Sequence, residues 1–250
     1  MTREFDYTYD ATGLYSYADY IAPRECQALC DELDSLKWED SEFHMTSRID
    51  SVHRRSDLFM EIAQRISADP FIDRAMTYPS RLIESYALSR MAGGKLPLHG
   101  GSSEHLQRFG APEATDISCA YMFRTGRMYS LRVKALIYLD DISSIEDGPL
   151  FYIEGSHKEN YSFFRSFLQG SEVHGFEHLV RHVMVRKGTC IILNEALVHG
   201  AEIKTSPQPR RLVVFTYGPT FVTDWRELSR GESHIERIGY VVPETEDASQ

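Results

Sequence analysis

Two hundred and fifty residues, 42% of them hydrophobic, suffice for one sizeable core and exclude a disordered or fibrous chain. With 37 acidic against 27 basic side chains the formal charge is −10, which argues against a nucleic acid polymer as partner and demands a local basic pocket for any anionic ligand. No apolar run approaches the roughly 20 residues of a membrane span, and Met1–Tyr20 lacks the basic and apolar regions of a secretory signal, so a cytoplasmic protein with no membrane partner is expected.

Pro23 opens an expected amphipathic helix over residues 23–36, where Cys26, Leu29, Cys30 and Leu33 recur at helical spacing. Ser56 is placed to cap a second helix carrying Leu58, Ile62, Ala63 and Ile66, and Asp69-Pro70 opens a short third. The four cysteines, Cys26, Cys30, Cys119 and Cys190, form no CxxC pair, so neither a zinc knuckle nor a disulfide framework is indicated. From Arg81 the period changes. Leu82–Leu88, Leu131–Leu139, Leu150–Ile153, Gly188–Leu193 and Leu212–Tyr217 are short β-rich runs separated by turns such as Asp147-Gly148-Pro149, a pattern for a sandwich or barrel. His174, His178 and His182 imitate a helical metal site, but Gly170, Ser171 and Gly175 weaken a helix there, and a solvated surface is expected.

Two segments carry the chemistry. Leu98-His99-Gly100-Gly101 and Val198-His199-Gly200 each end a strand-like run on a histidine, so neighbouring strands could present two imidazoles to one divalent metal. Arg210 and Arg211 follow about one strand later, and a guanidinium there suits bidentate capture of a carboxylate. Upstream, Leu139-Asp140-Asp141 leads through Gly148-Pro149-Leu150 to Gly155-Ser156-His157-Lys158.

This succession resembles the phytanoyl-CoA dioxygenase family of iron(II)- and 2-oxoglutarate-dependent oxygenases over roughly residues 80–220. The resemblance implies a mainly β chain with N-terminal helices, a double-stranded β-helix (jelly roll, cupin-like) in a single domain. Residues 1–80 would be a helical buttress, 81–220 the jelly-roll core and 221–250 a C-terminal extension. It implies His99 and His199 as iron ligands and Arg210 or its neighbour Arg211 as the 2-oxoglutarate anchor. By position, Ser102 just past the first turn is a candidate contact of 2-oxoglutarate or a halide, Lys134, which shares strand parity with Arg132, a candidate contact of 2-oxoglutarate or a substrate phosphate, and His157 a structural loop residue.

Hydroxylases of this kind use His-x-Asp and a distant His, whereas here Gly101 stands at the acid's position. The same replacement is a feature of the iron/2-oxoglutarate aliphatic halogenases, so the resemblance implies Fe(II), 2-oxoglutarate, O2 and chloride as cofactors, with halide lodged at Gly101. A natural-product halogenase acting on a small anionic substrate is expected, the leading candidate being the sugar of a purine nucleotide such as deoxyadenosine monophosphate. Three alternatives stay open: a hydroxylase with a substitute carboxylate, for which Glu104 is nearest, a hydroxylase with iron held by two histidines and water, and a non-catalytic binding module. The cation-rich stretch Arg124–Lys134 is either a solvated hairpin or a mouth for an anion. Arg127, Arg132 and Glu195 are candidate substrate contacts.

Overall fold

The computed structural model describes residues 2–41, 46–99, 120–158, 168–169, 172–173 and 177–221. Four α-helices are α1 Thr2–Thr12, α2 Pro23–Ser35, α3 Asp57–Ser67 and α4 Pro70–Met76. The strands are β1 Leu14–Tyr17, β2 Glu39–Ser41, β3 Thr46–Asp50, β4 Ser80–Arg90, β5 Leu96–His99, β6 Tyr121–Arg124, β7 Arg127–Ser130 and β8 Val133–Tyr138. They continue as β9 Leu150–Ile153, β10 Leu168–Gln169, β11 Glu172–Val173, β12 Val180–Val183, β13 Cys190–Asn194, β14 His199–Ala201 and β15 Arg210–Pro219. Local chemistry sets the helix starts: the Ser56 side chain accepts from Leu58 N and Asp69 from Phe71 N, while Pro23 and Pro70 occupy first-turn positions where no amide hydrogen is needed.

Two antiparallel sheets face each other, one of seven strands in the order β1-β13-β8-β15-β4-β3-β2 and one of four in the order β12-β9-β14-β5. This is the expected jelly roll. The large sheet is apolar on both faces, because one covers the space between the sheets and the other carries the helices. Along β15, Leu212 and Val214 face inward with Leu136, Tyr138 and Tyr152, whereas Val213 and Phe215 pack outward with Phe59, Ile62 and Ile66. Tyr217 ties the layers together by donating to the Ala63 carbonyl of α3 at 3.0 Å. The first eighty residues are less purely helical than the sequence suggests, since β1, β2 and β3 all join the large sheet. Cys26 and Cys30 are buried free thiols on one face of α2.

His157 has the structural place expected of it. Its Nε2 bonds the Asp10 carbonyl of α1 at 3.0 Å, and its ring meets Tyr121 edge-on. The fit depends on Gly13, which has φ +90° and lies so close that an added Cβ would stand 2.6 Å from Leu197 Cδ1 and 2.7 Å from His157 Nδ1. Gly13→Ala is therefore expected to destabilise the fold by about 2 kcal/mol, from left-handed strain plus overpacking. Thermal unfolding should show this as a drop of roughly 4–8 °C; an unchanged midpoint would contradict it.

Candidate active site

The four-stranded sheet brings the two distant histidines together. β14 runs antiparallel to β5 with His199 opposite His99, and the ring centroids lie 4.2 Å apart at 52°. Gly200 permits this: a Cβ there would fall 2.8 Å from both the Leu96 carbonyl and the Phe151 ring, so a larger residue would push β14 out from between β5 and β9. The turn that delivers His199 is fixed by buried polar contacts. Asn194 accepts from Ala196 N at 2.9 Å and donates to Ser130 Oγ at 2.8 Å, while Val198 N donates to Ser156 Oγ at 2.9 Å.

Each imidazole is oriented in the same way. His99 Nδ1 lies 2.9 Å from the Pro97 carbonyl and His199 Nδ1 lies 2.6 Å from the Leu197 carbonyl. Carbonyl oxygens only accept, so both rings carry the proton on Nδ1 and present Nε2 as the lone-pair nitrogen, the form a metal ligand needs. Burial, then the neighbouring His199 and Lys134 charges, push His99 down to about 3, and burial also lowers His199. Both stay neutral near pH 7. The pair suits a divalent metal such as iron. Among the described residues no group of three His, Cys, Asp or Glu stands together, and Gly101, Ser102 and Glu104 lie outside them, as do Cys119, His174 and the extension 222–250.

At the other end of the inner face stand two buried guanidiniums. Arg210 opens β15 and pairs in register with Arg90, the last residue of β4, while Leu212 lies opposite Tyr138. Arg210 donates to the Gly148 carbonyl through Nη1, and Arg90 Nε donates to Thr46 Oγ1 at 3.2 Å. Arg210 Nε, Arg90 Nη1 and the Tyr138 hydroxyl are buried without a hydrogen-bond partner. No carboxylate among the described residues pairs with either arginine. Burial and the charge of Arg210 push Arg90 down to about 9, and burial lowers Arg210 as well. Two desolvated cations and an orphaned hydroxyl converging on one space suit an anionic carboxylate. Alternation along β15 separates the two adjacent arginines: Arg211 points outward and bonds Asp140 through its backbone N at 2.7 Å and its Nη2 at 3.1 Å. Sequence reasoning missed Arg90 and Tyr138.

Between these features lies a buried ion pair. Lys134 Nζ of β8 donates to Glu195 Oε1 at 2.8 Å. Burial alone would raise the Glu195 carboxyl, but Lys134, with Arg132 and His199, holds it down at about 2. Glu195 in turn keeps Lys134 charged against its own desolvation. Lys134 thus sits four residues from Tyr138 along β8, next to the imidazoles and apart from Arg210. Arg132 precedes β8 and contributes to the same field. Arg127 is placed elsewhere: it is exposed on β7 and lines a separate surface cleft of about 470 Å³ with Asp6, Asp73 and Arg74. The reason is topological, since among the described residues β6 and β7 pair only with each other, as a hairpin outside both main sheets.

The chain matches the phytanoyl-CoA dioxygenase (PhyH) family over residues 9–212, so the family region reaches far into the N-terminal part that the sequence motifs left uncovered. No curated protein matches it. Among solved structures it is similar to HygX from Streptomyces hygroscopicus with nickel and 2-oxoglutarate bound, at 33% identity and TM-score 0.79 over 96% of each chain. It is also similar to HygX with nickel, 2-oxoglutarate and hygromycin B bound, at 33% identity and TM-score 0.76 over 90% of this chain and 89% of that one. The epimerase SnoN from nogalamycin biosynthesis, at 17% identity and TM-score 0.66 over 96% of this chain and 92% of that one, shares the fold. With the family matched across most of its length, and two oriented imidazoles at the heart of the jelly roll, the chain belongs to the phytanoyl-CoA dioxygenase family.

Proposed function

We propose that the protein is an iron(II)- and 2-oxoglutarate-dependent enzyme that oxidises an aliphatic C–H bond of a small natural product. The observation that carries this reading is the pair of Nδ1-anchored imidazoles on β5 and β14, with the unpaired Arg210–Arg90–Tyr138 cluster on the facing sheet. HygX, which has been solved with iron, with nickel and 2-oxoglutarate, and with hygromycin B, supports both the cofactors and a small-molecule substrate. Bound ferrous iron would activate O2 while 2-oxoglutarate is converted to succinate and carbon dioxide.

The residues of this chain supply positioning. Pro97 and Leu197 carbonyls hold the two Nδ1 protons and leave both Nε2 lone pairs for a metal, on rings whose centroids are 4.2 Å apart. Arg210 and Arg90 would hold the distal carboxylate of 2-oxoglutarate, with Tyr138 donating a third hydrogen bond. The apolar walls Leu136, Leu212 and Val214 keep water from the space between.

One observation favours a second reading, chlorination: Gly101, two residues after His99, has no side chain to ligate iron, and chloride could restore the missing charge. A nucleoside monophosphate remains the substrate tied to that reading. Product analysis separates the two. Iron-loaded protein is incubated with 2-oxoglutarate and O2, with and without chloride, and with a panel of polyhydroxylated natural products and nucleotides, and succinate and product masses are recorded. C–H oxidation without halogen incorporation is expected, at a rate independent of chloride. A chlorinated product would give the second reading precedence, and failure to bind either metal or 2-oxoglutarate would sink both.

A further inference from the structure

We propose that the Lys134–Glu195 ion pair is the substrate-recognition element of this site, and that it selects a hydroxyl-rich ligand bearing an amine over a phosphorylated one. The inference rests on the site being the oxidation centre proposed above. The pair borders the two imidazoles, close enough for its charges to act on both His99 and His199. Glu195 is buried in the turn that ends on His199, its backbone N bonded to the Arg132 carbonyl at 3.1 Å, and Lys134 faces inward from β8.

Hydrogen-bond capacity comes first. Lys134 Nζ lies 2.8 Å from each carboxylate oxygen of Glu195, but its bond is directed at Oε1, and Oε2 is buried without a hydrogen bond. Such an oxygen calls for a donor. An ammonium has three donors and no acceptor, so Lys134 retains protons for a hydroxyl oxygen. An amino-polyol offers a donor to Oε2 and an acceptor to Nζ together. Stability alone does not account for the pair, because a buried ion pair is commonly matched or bettered by apolar side chains of the same volume.

Charge supplies the selectivity. A second inward cation of this region, Arg48, stands 3.8 Å over the Tyr86 ring and is neutralised by Asp50 at 2.6 Å and Glu84 at 3.0 Å. Lys134 is neutralised by Glu195. A phosphate entering here meets Lys134 and Arg48, both already committed to acids, and a carboxylate oxygen without a hydrogen bond that repels it. Arg90 and Arg210, which have no acid partner among the described residues, lie at the opposite end of the inner face, where they are set for a carboxylate.

The test uses full-length protein loaded with nickel and 2-oxoglutarate, so that no turnover occurs, and isothermal titration with kanamycin A, raffinose and adenosine monophosphate. These probes are an amine-bearing trisaccharide, an uncharged one and a phosphate. Kanamycin A is expected to bind tightest and adenosine monophosphate not at all. Glu195→Gln should weaken kanamycin A at least tenfold while nickel and 2-oxoglutarate affinities stay within about twofold of wild type. The double variant Lys134→Met/Glu195→Leu leaves no lone buried charge and so should fold, yet lose the preference for the amine. Preferential binding of the nucleotide, no binding of kanamycin A, or unchanged kanamycin A affinity in both variants would overturn the proposal. Loss of nickel and 2-oxoglutarate binding by the wild type would instead remove the cofactor reading beneath it.

Discussion

His199→Ala is expected to abolish metal binding and turnover while leaving the fold intact. The ring is buried, and its Nδ1 is committed to the Leu197 carbonyl, so nothing else on β14 can present a lone pair at that point. Even partners that only orient a ligand typically alter metal affinity 10–100-fold. Loss of one of two imidazole ligands should exceed that, a fall of at least about 100-fold. Dialysis against iron or nickel followed by metal analysis reads this directly. His99→Ala should behave alike, because the two rings face each other in register. The informative control is His157, which is also buried and has its ring tied to a backbone carbonyl, but on α1. His157→Gln should lower the unfolding temperature and leave metal content unchanged. Metal retained by His199→Ala would contradict the assignment whatever the activity did.

Why His157 and His199 part ways is only half visible in the sequence. Both sit in short turn-rich contexts within two residues of a glycine, and spacing alone does not separate their roles. Helix starts were legible because capping is local: Ser56, Asp69 and the two first-turn prolines act within three residues of themselves. The inner face of the large sheet was not. A strand buried on both sides has no polar alternation to read, so Arg90 at the end of β4 looks like an ordinary surface residue flanking a glycine turn. Tyr138 likewise looks like core. Their partnership with Arg210 is a consequence of register across β4, β15 and β8, and register is a non-local property. The pairing of Lys134 with Glu195 joins residues 61 apart through the same register, since Leu193 of β13 lies opposite Lys134. The segment around Gly101, on which the halogenase expectation turned, lies outside the described residues.

That register also gives Arg210 and Arg211 opposite fates. Arg210→Met should raise the dissociation constant for 2-oxoglutarate by about 30-fold or more, since truncating one partner of a buried, hydrogen-bonded charge pair costs roughly 2–5 kcal/mol and each 1.4 kcal/mol is tenfold. Arg211→Met removes an outward contact with Asp140 and should leave that constant within about threefold. Arg90→Met is the sharper probe. Without ligand, Arg90 and Arg210 are like charges desolvated side by side, so replacing one with an apolar side chain relieves repulsion, and the ligand-free protein should melt at an equal or higher temperature than wild type. With saturating 2-oxoglutarate the order should invert, because wild type gains stability in proportion to its affinity and the variant gains less. A structural role for Arg90 predicts the opposite sign without ligand, so two melting curves per protein decide whether this arginine serves the fold or the dicarboxylate.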